Sequence, residues 1–486
     1  MTAWIVCCMH FKDPNMDTKS RTRQLVTCAS AMALLYFLTG CITADPSSDY
    51  EQTASLADDR TGSPISLEEA WSNPFNERSD AWDGIEPLSL EDSITVALSN
   101  DPELRRELSL VARKRAQLAQ ASLPPNPRVA FQVGTVIDGA GGAPAMVQIL
   151  EQLTWIWTMG DRIDRQDEEL QAMILDAART TVVRSAQVRE AYTEAAYDRD
   201  IIELRRAYVE TTRSTLDLVS ALVEVGEVPE VNQERAAIDH HVAEAALANS
   251  IRQLRQEKLE LLRLIGWPGH STNWALSSPL SQGPDFEIPT ESQIVRRALE
   301  VRLDIAAAQR MVRAAEAELR LAGWSRFPEV EYRVNWNRNF GMRTAMFNGG
   351  LISLPILDNG YARIADAFAR LETASLDSAI LRQNVILEAR SALNSWFQAE
   401  EQLQLFDETL VQETERVVES SELEFKAGSV DSTELLLTQQ QMIQQQLEML
   451  LHMRQSALAW IGLETSVGGS FAIPLEEPEV HVEKKS

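Results

Sequence analysis

The chain has 486 residues, of which 44% are apolar and 24% charged, and this composition excludes an intrinsically disordered chain and a polytopic membrane protein. Its 72 acidic and 45 basic side chains give a formal net charge of −27. Such a charge argues against a nucleic-acid or anionic-membrane surface, and it is compatible with a path for cations or with plain solubility. All four cysteines lie at or before position 41, so a disulfide framework or a cysteine zinc site is excluded for the body of the protein.

The N-terminus has the pattern of an export signal. Basic residues at 19, 21 and 23 precede an apolar stretch over 25–38, which ends in Leu38-Thr39-Gly40-Cys41. This arrangement predicts a signal peptide over 1–40, with either Met1 or Met16 as its start. The ending resembles the bacterial lipobox, which implies an acylated Cys41; the alternative is an ordinary signal peptide with a coincidental cysteine. Residues 41–85, rich in Ser, Asp, Glu and Thr, are predicted to be a tether between the lipid anchor and the fold.

The body of the chain is predicted to be a tandem duplication, with repeats over 86–285 and 286–465 and a C-terminal tail over 466–486. Four landmarks recur at spacings of 200 to 202 residues. They are Ala97-Leu98 and Ala298-Leu299, the alternating segments after Pro127 and Pro328, Gly160 and Gly360, and Gly226 and Gly428. Because the landmarks keep one order and one spacing, each repeat is expected to fold as a copy of the same unit.

Each repeat is predicted to contain a strand hairpin followed by a helical hairpin. Apolar and polar residues alternate at Val129, Phe131 and Val133, and again from Val330 to Trp336, which indicates strands. Glycine and proline are absent from 161–225 and 361–427, and apolar steps averaging 3.5 residues there predict long coiled-coil helices. The predicted strands cover about 127–136, 145–154, 328–337 and 344–354, the long helices about 160–225 and 360–427, and the partner helices about 230–265 and 431–461.

Four tryptophans lie near the ends of the predicted strands: Trp155, Trp157, Trp324 and Trp336. Aromatic residues at these places are typical of the interfaces of a membrane barrel, although tryptophans of a folded core would give the same pattern. Four strands of membrane-spanning length cannot close a barrel, and open strand edges are not tolerated in lipid. The sequence therefore predicts a homotrimer in which twelve strands form one shared barrel on a tube of long antiparallel helices.

This order of elements resembles the outer membrane efflux protein (TolC) family over about residues 86–465. The most recognisable segments are 88–98, Asn100-Asp101-Pro102-Glu103-Leu104, Gly226-Glu227-Val228-Pro229, 354–360 and Phe425-Lys426-Ala427-Gly428. The resemblance implies a mainly α, trimeric channel-tunnel with a small β part and no cofactor, lipid-anchored in the outer membrane and extending into the periplasm. It also implies two partners, a periplasmic adaptor protein and a proton-driven inner-membrane pump. The short last hairpin and the acylated start are more similar to the heavy-metal exporter branch (CzcC- or CusC-like) than to a drug exporter.

The resemblance implies a periplasmic aperture at the first turns after the helical tips. The acidic ring of the family aligns with Glu434, and Glu230 and Asp431 are near enough in the tip turns to add to it. Three copies of Glu434 around one axis would attract cations. Ordinary capping explains the same residues equally, because acidic side chains near a helix N-terminus stabilise the helix dipole.

Other gate positions of the family fall on neutral residues here. A second acidic position aligns with Leu437, the arginine of the gate with Val430 and its partner acid with Asn232, so the usual ionic lock is not expected. The tips themselves are the expected adaptor contacts, although turn chemistry alone would select similar residues. These residues are Val225, Gly226, Glu227, Val228 and Pro229 in the first repeat, and Ala427, Gly428, Ser429 and Val430 in the second.

No catalytic motif is found, since phosphate-binding loops, His-Glu-x-x-His and Gly-x-Ser-x-Gly are all missing from the sequence. The chain is therefore expected not to be an enzyme and to hold no metal or cofactor. Asp239-His240-His241 is interpreted as a solvated helix face, because neighbouring histidines on a helix point about 100° apart. Two alternatives stay open: a periplasmic coiled-coil scaffold lipoprotein, and the same duct serving type I protein secretion or drug efflux.

Overall fold

The computed structural model describes residues 44–61, 82–135, 143–277, 289–338, 344–406 and 432–471, with scattered positions between 413 and 424. The helices are α1 (Ser47–Thr61), α2 (Leu90–Asn100), α3 (Pro102–Ala121), α4 (Trp155–Glu224), α5 (Glu230–Leu264), α6 (Glu291–Val301), α7 (Leu303–Gly323), α8 (Tyr361–Phe406) and α9 (Ser432–Ser466). The strands are β1 (Arg128–Val133), β2 (Ala145–Gln152), β3 (Glu329–Arg338) and β4 (Thr344–Ser353). The predicted signal peptide, Cys41 and the chain after 471 lie outside the described residues. No helix in the described part is long and apolar enough to cross a membrane.

The four strands form one sheet in the order β1-β2-β3-β4, and every neighbouring pair is antiparallel. The four predicted strands are thus confirmed, although β1 ends three residues earlier than expected. One face of the sheet is apolar: Phe131 lies opposite Val147, and Val147 lies opposite Trp336. The other face is more polar and includes an ion pair between Arg128 and Glu331. This alternation gives the sheet one face suited to an apolar environment.

Helix α4 has 70 residues, which at 1.5 Å per residue corresponds to a length of about 105 Å. It begins at Trp155, five residues before the predicted start, because the helix continues through Gly160. One glycine in a helix costs about 1 kcal/mol relative to alanine, a small amount beside the packing of so long a helix. The aligned Gly360 instead precedes α8 with φ of +77°, and a β-carbon there would meet Ser325. The glycine at this equivalent position therefore ends the loop before the long helix in the second repeat, whereas in the first repeat it lies within the long helix.

The segment predicted to be a tether contains a docked helix, so that prediction was wrong for residues 47–61. Helix α1 packs on α3 and α4, and Ala54 and Ala57 are fully buried beneath it. Asp49 is also buried and forms an ion pair with Arg115 of α3. At its C-terminal end, the carbonyl of Arg60 accepts the backbone N–H of Ser470 at 3.1 Å. A polar composition is shared by tethers and short surface helices, and only these specific contacts distinguish the two.

The main hydrophobic core lies midway along α4, at a level that we call the waist. Here the chain just before α2 meets the chain that follows α5. Leu88 and Leu276 form a parallel bridge there, and the Tyr192 hydroxyl of α4 donates to the Leu88 carbonyl at 3.1 Å. Indole rings also pack at the waist in tilted and edge-to-face contacts, with centroids 5.4 to 5.5 Å apart. They belong to Trp82, Trp267 and Trp274. These contacts fasten the chain before the first repeat to the end of its helical hairpin.

On either side of this waist the long helices form a layer of four. Towards the sheet the packing order is α3-α4-α7-α8, and away from the sheet it is α5-α4-α9-α8. The sheet repeats this order from β1 to β4. At all three levels, one outer edge comes from the first repeat (β1, α3, α5) and the other from the second repeat (β4, α8). In the described part of the chain the layer is therefore open, with the same two sides exposed from end to end.

Candidate functional site

The tip of the first helical hairpin is an exposed turn over residues 225–229. Gly226 has φ of +78°, and its N–H donates to the Val223 carbonyl at 3.0 Å. The N–H of Glu227 donates to the Leu222 carbonyl, also at 3.0 Å. These two bonds form a Schellman cap, which satisfies the last carbonyls of α4 and requires a residue such as glycine at the positive φ. Val225 is left 71% exposed, so the tip presents an apolar side chain to its surroundings.

A cavity of about 170 Å³ lies behind this tip, between α4, α5 and α9. Asn232 of α5 and Leu437 of α9, two positions at which the family resemblance implied acidic gate residues, both line it. Gln440, one turn further along α9, donates from Nε2 to the Thr215 hydroxyl of α4 at 3.0 Å. The structure therefore brings the neutral gate positions of the two repeats together, and a hydrogen bond between neutral groups joins the helices beside them.

The acidic residues expected at the aperture lie at the same end of the layer. Glu230 is the first residue of α5 and Glu434 is in the first turn of α9, and both side chains are exposed. Glu434 precedes Leu437 by one turn, which places it on the tip side of the cavity. Asp431 and the second tip, with Ala427, Gly428, Ser429 and Val430, lie outside the described residues.

The four tryptophans occupy two levels of the sheet. Trp155 and Trp157 lie in the first turn of α4, and Trp324 begins a single 3-10 turn (Trp324–Arg326) after α7. The indole N–H of Trp324 donates to Asp161 of α4 at 2.8 Å, which fixes the junction between sheet and helices. Trp336 lies instead near the far end of β3, 40% exposed on the apolar face.

The solvated face predicted for Asp239-His240-His241 of α5 is confirmed for Asp239 and His241, which are exposed, and is wrong for His240. His240 is 5% exposed, and its Nδ1 lies 3.2 Å from the Thr212 hydroxyl of α4, whereas His241 is exposed. His240 therefore points into the seam between α4 and α5, where it contacts Thr212. In the described part of the chain, no group of three or more His, Cys, Asp and Glu side chains is arranged to hold a metal ion.

Both outer edges of the helical layer carry apolar stripes that the sequence analysis overlooked. On α5 the stripe is Val231, Ile238 and Val242, which are 47%, 61% and 62% exposed. On α8 it is Leu376, Ile380 and Leu387, which are 57%, 54% and 63% exposed. The steps of seven and four residues are those of a coiled-coil seam. This signal was present in the sequence, but only the packing order shows that these stripes face outward.

The second repeat matches the family model described as outer membrane efflux protein over residues 294–469. Nodulation protein T of Rhizobium leguminosarum bv. viciae is 21% identical over 420 residues, which cover 81% of this chain and 84% of that protein. The Campylobacter jejuni CmeC outer membrane channel is 14% identical with a TM-score of 0.66, over 78% of this chain and 85% of that one. CusC, described with conformational changes that accompany folding and transmembrane channel formation, is 16% identical with a TM-score of 0.65, over 78% of this chain and 92% of that one. These likenesses show that the fold is that of an outer-membrane channel.

Proposed function

We propose that this chain, whose second repeat matches the outer membrane efflux protein model, is a member of that (TolC) family and forms an outer-membrane efflux duct. Three copies would form a passive channel-tunnel, anchored in the outer membrane by acylated Cys41. A periplasmic adaptor and a proton-driven inner-membrane pump would deliver the cargo to it. The protein makes and breaks no covalent bond in this role, since a duct needs only a continuous wall.

The observation that carries the trimer is the match between the two open edges of the layer. In lipid, the unpaired backbone groups of β1 and β4 would each cost several kcal/mol, so the edges must pair with another chain. An edge from the first repeat would meet an edge from the second, which is a head-to-tail contact that closes into a ring. Four strands from each of three chains give twelve, an even number within the range of outer-membrane barrels.

The helical edges support the same arrangement. The apolar stripe of α5 would pack against the stripe of α8 in the next copy, which buries six large side chains at each junction. An aliphatic side chain contributes about 1.5–3 kcal/mol when it becomes fully buried. About half of the surface of these side chains is already buried in the single chain, so each contributes about half of that amount at the junction. The tryptophans at both ends of the sheet would then lie at the two membrane interfaces, with Trp155, Trp157 and Trp324 on the periplasmic side.

The exposed tips support a role in docking and in cargo selection. Val225 to Pro229, together with the second tip, would contact the adaptor, because the end of the tube is where a periplasmic partner can meet it. Glu434, joined by Glu230 and Asp431, would form a cation-attracting ring at the aperture. We propose metal cations or small toxic compounds as the cargo, in keeping with the net charge of −27.

Single-channel recording in planar bilayers, with the oligomer mass measured in detergent, tests the duct. A trimer with discrete, cation-preferring openings is expected; a monomer without conductance would refute the duct and favour a scaffold lipoprotein. The cargo is tested separately by deleting the gene and measuring sensitivity to zinc, cobalt, cadmium, copper and silver. No change for any of these metals, with a change for organic toxins, would move the cargo to small compounds.

A further inference from the structure

Two carboxyl groups meet inside the helical layer, in the seam between α4 and α5. Asp198 of α4 is 3% exposed, and its Oδ1 accepts a hydrogen bond from Arg454 of α9 at 2.8 Å. Its second oxygen, Oδ2, and the Oε2 atom of Glu257 are both buried without a donor among the described residues. Because two ionised carboxylates cannot donate to each other, one proton held between them is the arrangement that satisfies both oxygens.

The groups around the two carboxyls favour the state in which the pair keeps this proton. Glu194 and Arg205 face the pair from α4, and Arg454 faces it from α9. On α5, Gln253 donates to the other oxygen of Glu257 at 3.1 Å, and Glu260 lies near Glu194. Burial, with the charge of Asp198 adding to it, raises the pKa of Glu257 to about 8, and burial also raises the pKa of Asp198.

We propose that Asp198 and Glu257 share a proton that holds α5 against α4, and that loss of this proton loosens the first helical hairpin and widens the duct at its tip. The proposal rests on the proposed function, in which this hairpin is part of the tunnel wall. Two ionised carboxylates in a buried seam repel each other and draw in water, and α5 is the edge helix of the layer. Nearer the tip, the seam is joined by modest polar contacts, such as that between Ser220 and Gln233 at 3.1 Å, with His240 and Glu244 as further ionisable groups.

Hydrogen–deuterium exchange of the intact protein in detergent tests whether the proton shared by Asp198 and Glu257 holds α5 against α4. Exchange in the 230–264 helix is compared between wild type and Glu257→Gln at each pH, so that intrinsic exchange rates cancel. From pH 6 to pH 9, opening in the wild type is expected to increase about 10- to 100-fold, since the carboxyl loses its proton more easily when open than when closed. Glu257→Gln, which cannot ionise, is expected to show no such increase. Equal pH responses in the two proteins would overturn the proposal.

Two further variants make the outcome specific to this pair. Glu234→Gln removes the same charge from an exposed position of the same helix, and it is expected to keep the wild-type pH response. Asp198→Asn removes the neighbouring negative charge, so the increase in exchange is expected at a lower pH than in wild type. An unchanged midpoint in Asp198→Asn would overturn the sharing of one proton even if Glu257→Gln failed to fold.

Single-channel conductance over the same pH range separates this proposal from the proposed function. Wild-type conductance is expected to rise as the pH increases from 6 towards 8 and to level off above it, and that of Glu257→Gln to stay flat. Conducting channels without pH-dependent exchange would refute the role of the shared proton and would leave the proposed duct standing. If exchange depends on pH in a protein that never conducts, the proposed duct is refuted and the proton-sharing pair still stands.

Discussion

Replacing Arg184 with methionine is expected to lower the melting temperature of the protein by about 3–5 °C at pH 7.5. Arg184 is 6% exposed on α4, and its Nε lies 2.6 Å from Oδ2 of Asp101, which is 4% exposed. The same guanidinium pairs with Glu103, whose carboxylate is 58% exposed and can be solvated by water. Methionine fills a similar volume but leaves Asp101 buried without its cation.

The magnitude follows from the burial of Asp101. Removing one partner of a buried ion pair costs about 3–5 kcal/mol, because the remaining charge is left without compensation. At about 2.1 cal/mol/K per residue, 486 residues give an unfolding entropy of about 1 kcal/mol/K, so each kcal/mol shifts the melting temperature by about 1 °C. Burial already raises the pKa of Asp101, and losing Arg184 raises it further. A raised carboxyl pKa destabilises the fold as pH rises, so the deficit is expected to shrink when the pH is lowered towards 5.

Thermal melts at pH 5 and pH 7.5 measure this, with Asp101→Asn as the partner variant. Asparagine keeps the cap of α3, in which the side chain at 101 accepts the N–H of Glu103 at 2.9 Å, but it carries no charge. The double variant is therefore expected to recover most of the loss caused by Arg184→Met. Glu388→Gln is the control, because Glu388 pairs with the buried Arg302 but is 56% exposed, and a shift below about 1 °C is expected. The reasoning is refuted if Arg184→Met melts within 1 °C of wild type, or if the double variant melts no higher than Arg184→Met alone.

Glu434→Gln is expected to reduce the cation preference of single channels, measured as the reversal potential in a salt gradient; an unchanged potential would leave only a capping role for Glu434. Ile238→Glu is expected to convert the trimer to monomers in a light-scattering measurement, because it places a charge in the α5 stripe, whereas His241→Glu on the adjacent exposed face is expected to stay trimeric. Asp176→Asn is expected to stabilise the protein at pH 7.5 by up to about 3 kcal/mol and to have no effect near pH 4. Burial, with two neighbouring carboxylates adding to it, raises the pKa of Asp176 to about 6, so the stability present below its ordinary pKa is lost as pH rises through 6. Melts of Asp176→Asn that differ from wild type equally at both pH values would contradict this assignment.

Local patterns were enough to predict the strand and helix hairpins, because alternation and heptad steps repeat over many residues. The start of α4 differs from the prediction because a single residue, Gly160, was given more weight than the packing of the whole 70-residue helix in which it lies. Helix α1 was missed because its docking depends on Asp49 meeting Arg115, 66 positions away. The pair of Asp198 and Glu257 was equally out of reach, since no local pattern shows that two acids on different helices face each other. Contacts that depend on how elements pack are absent from patterns within one element.

The duplication also explains how the two halves of the layer keep their places. At aligned positions 201 residues apart, the first repeat has Asp101 and the second has Arg302. Asp101 pairs with an arginine on its long helix, whereas Arg302 pairs with a glutamate, Glu388, on its own long helix. The charges are therefore reversed between two otherwise equivalent junctions. If α3 took the place of α7 at Glu388, or α7 took the place of α3 at Arg184, like charges would face each other at that junction. This reversal favours one order of helices within the chain, in which the short helix of each repeat stays beside the long helix of the same repeat.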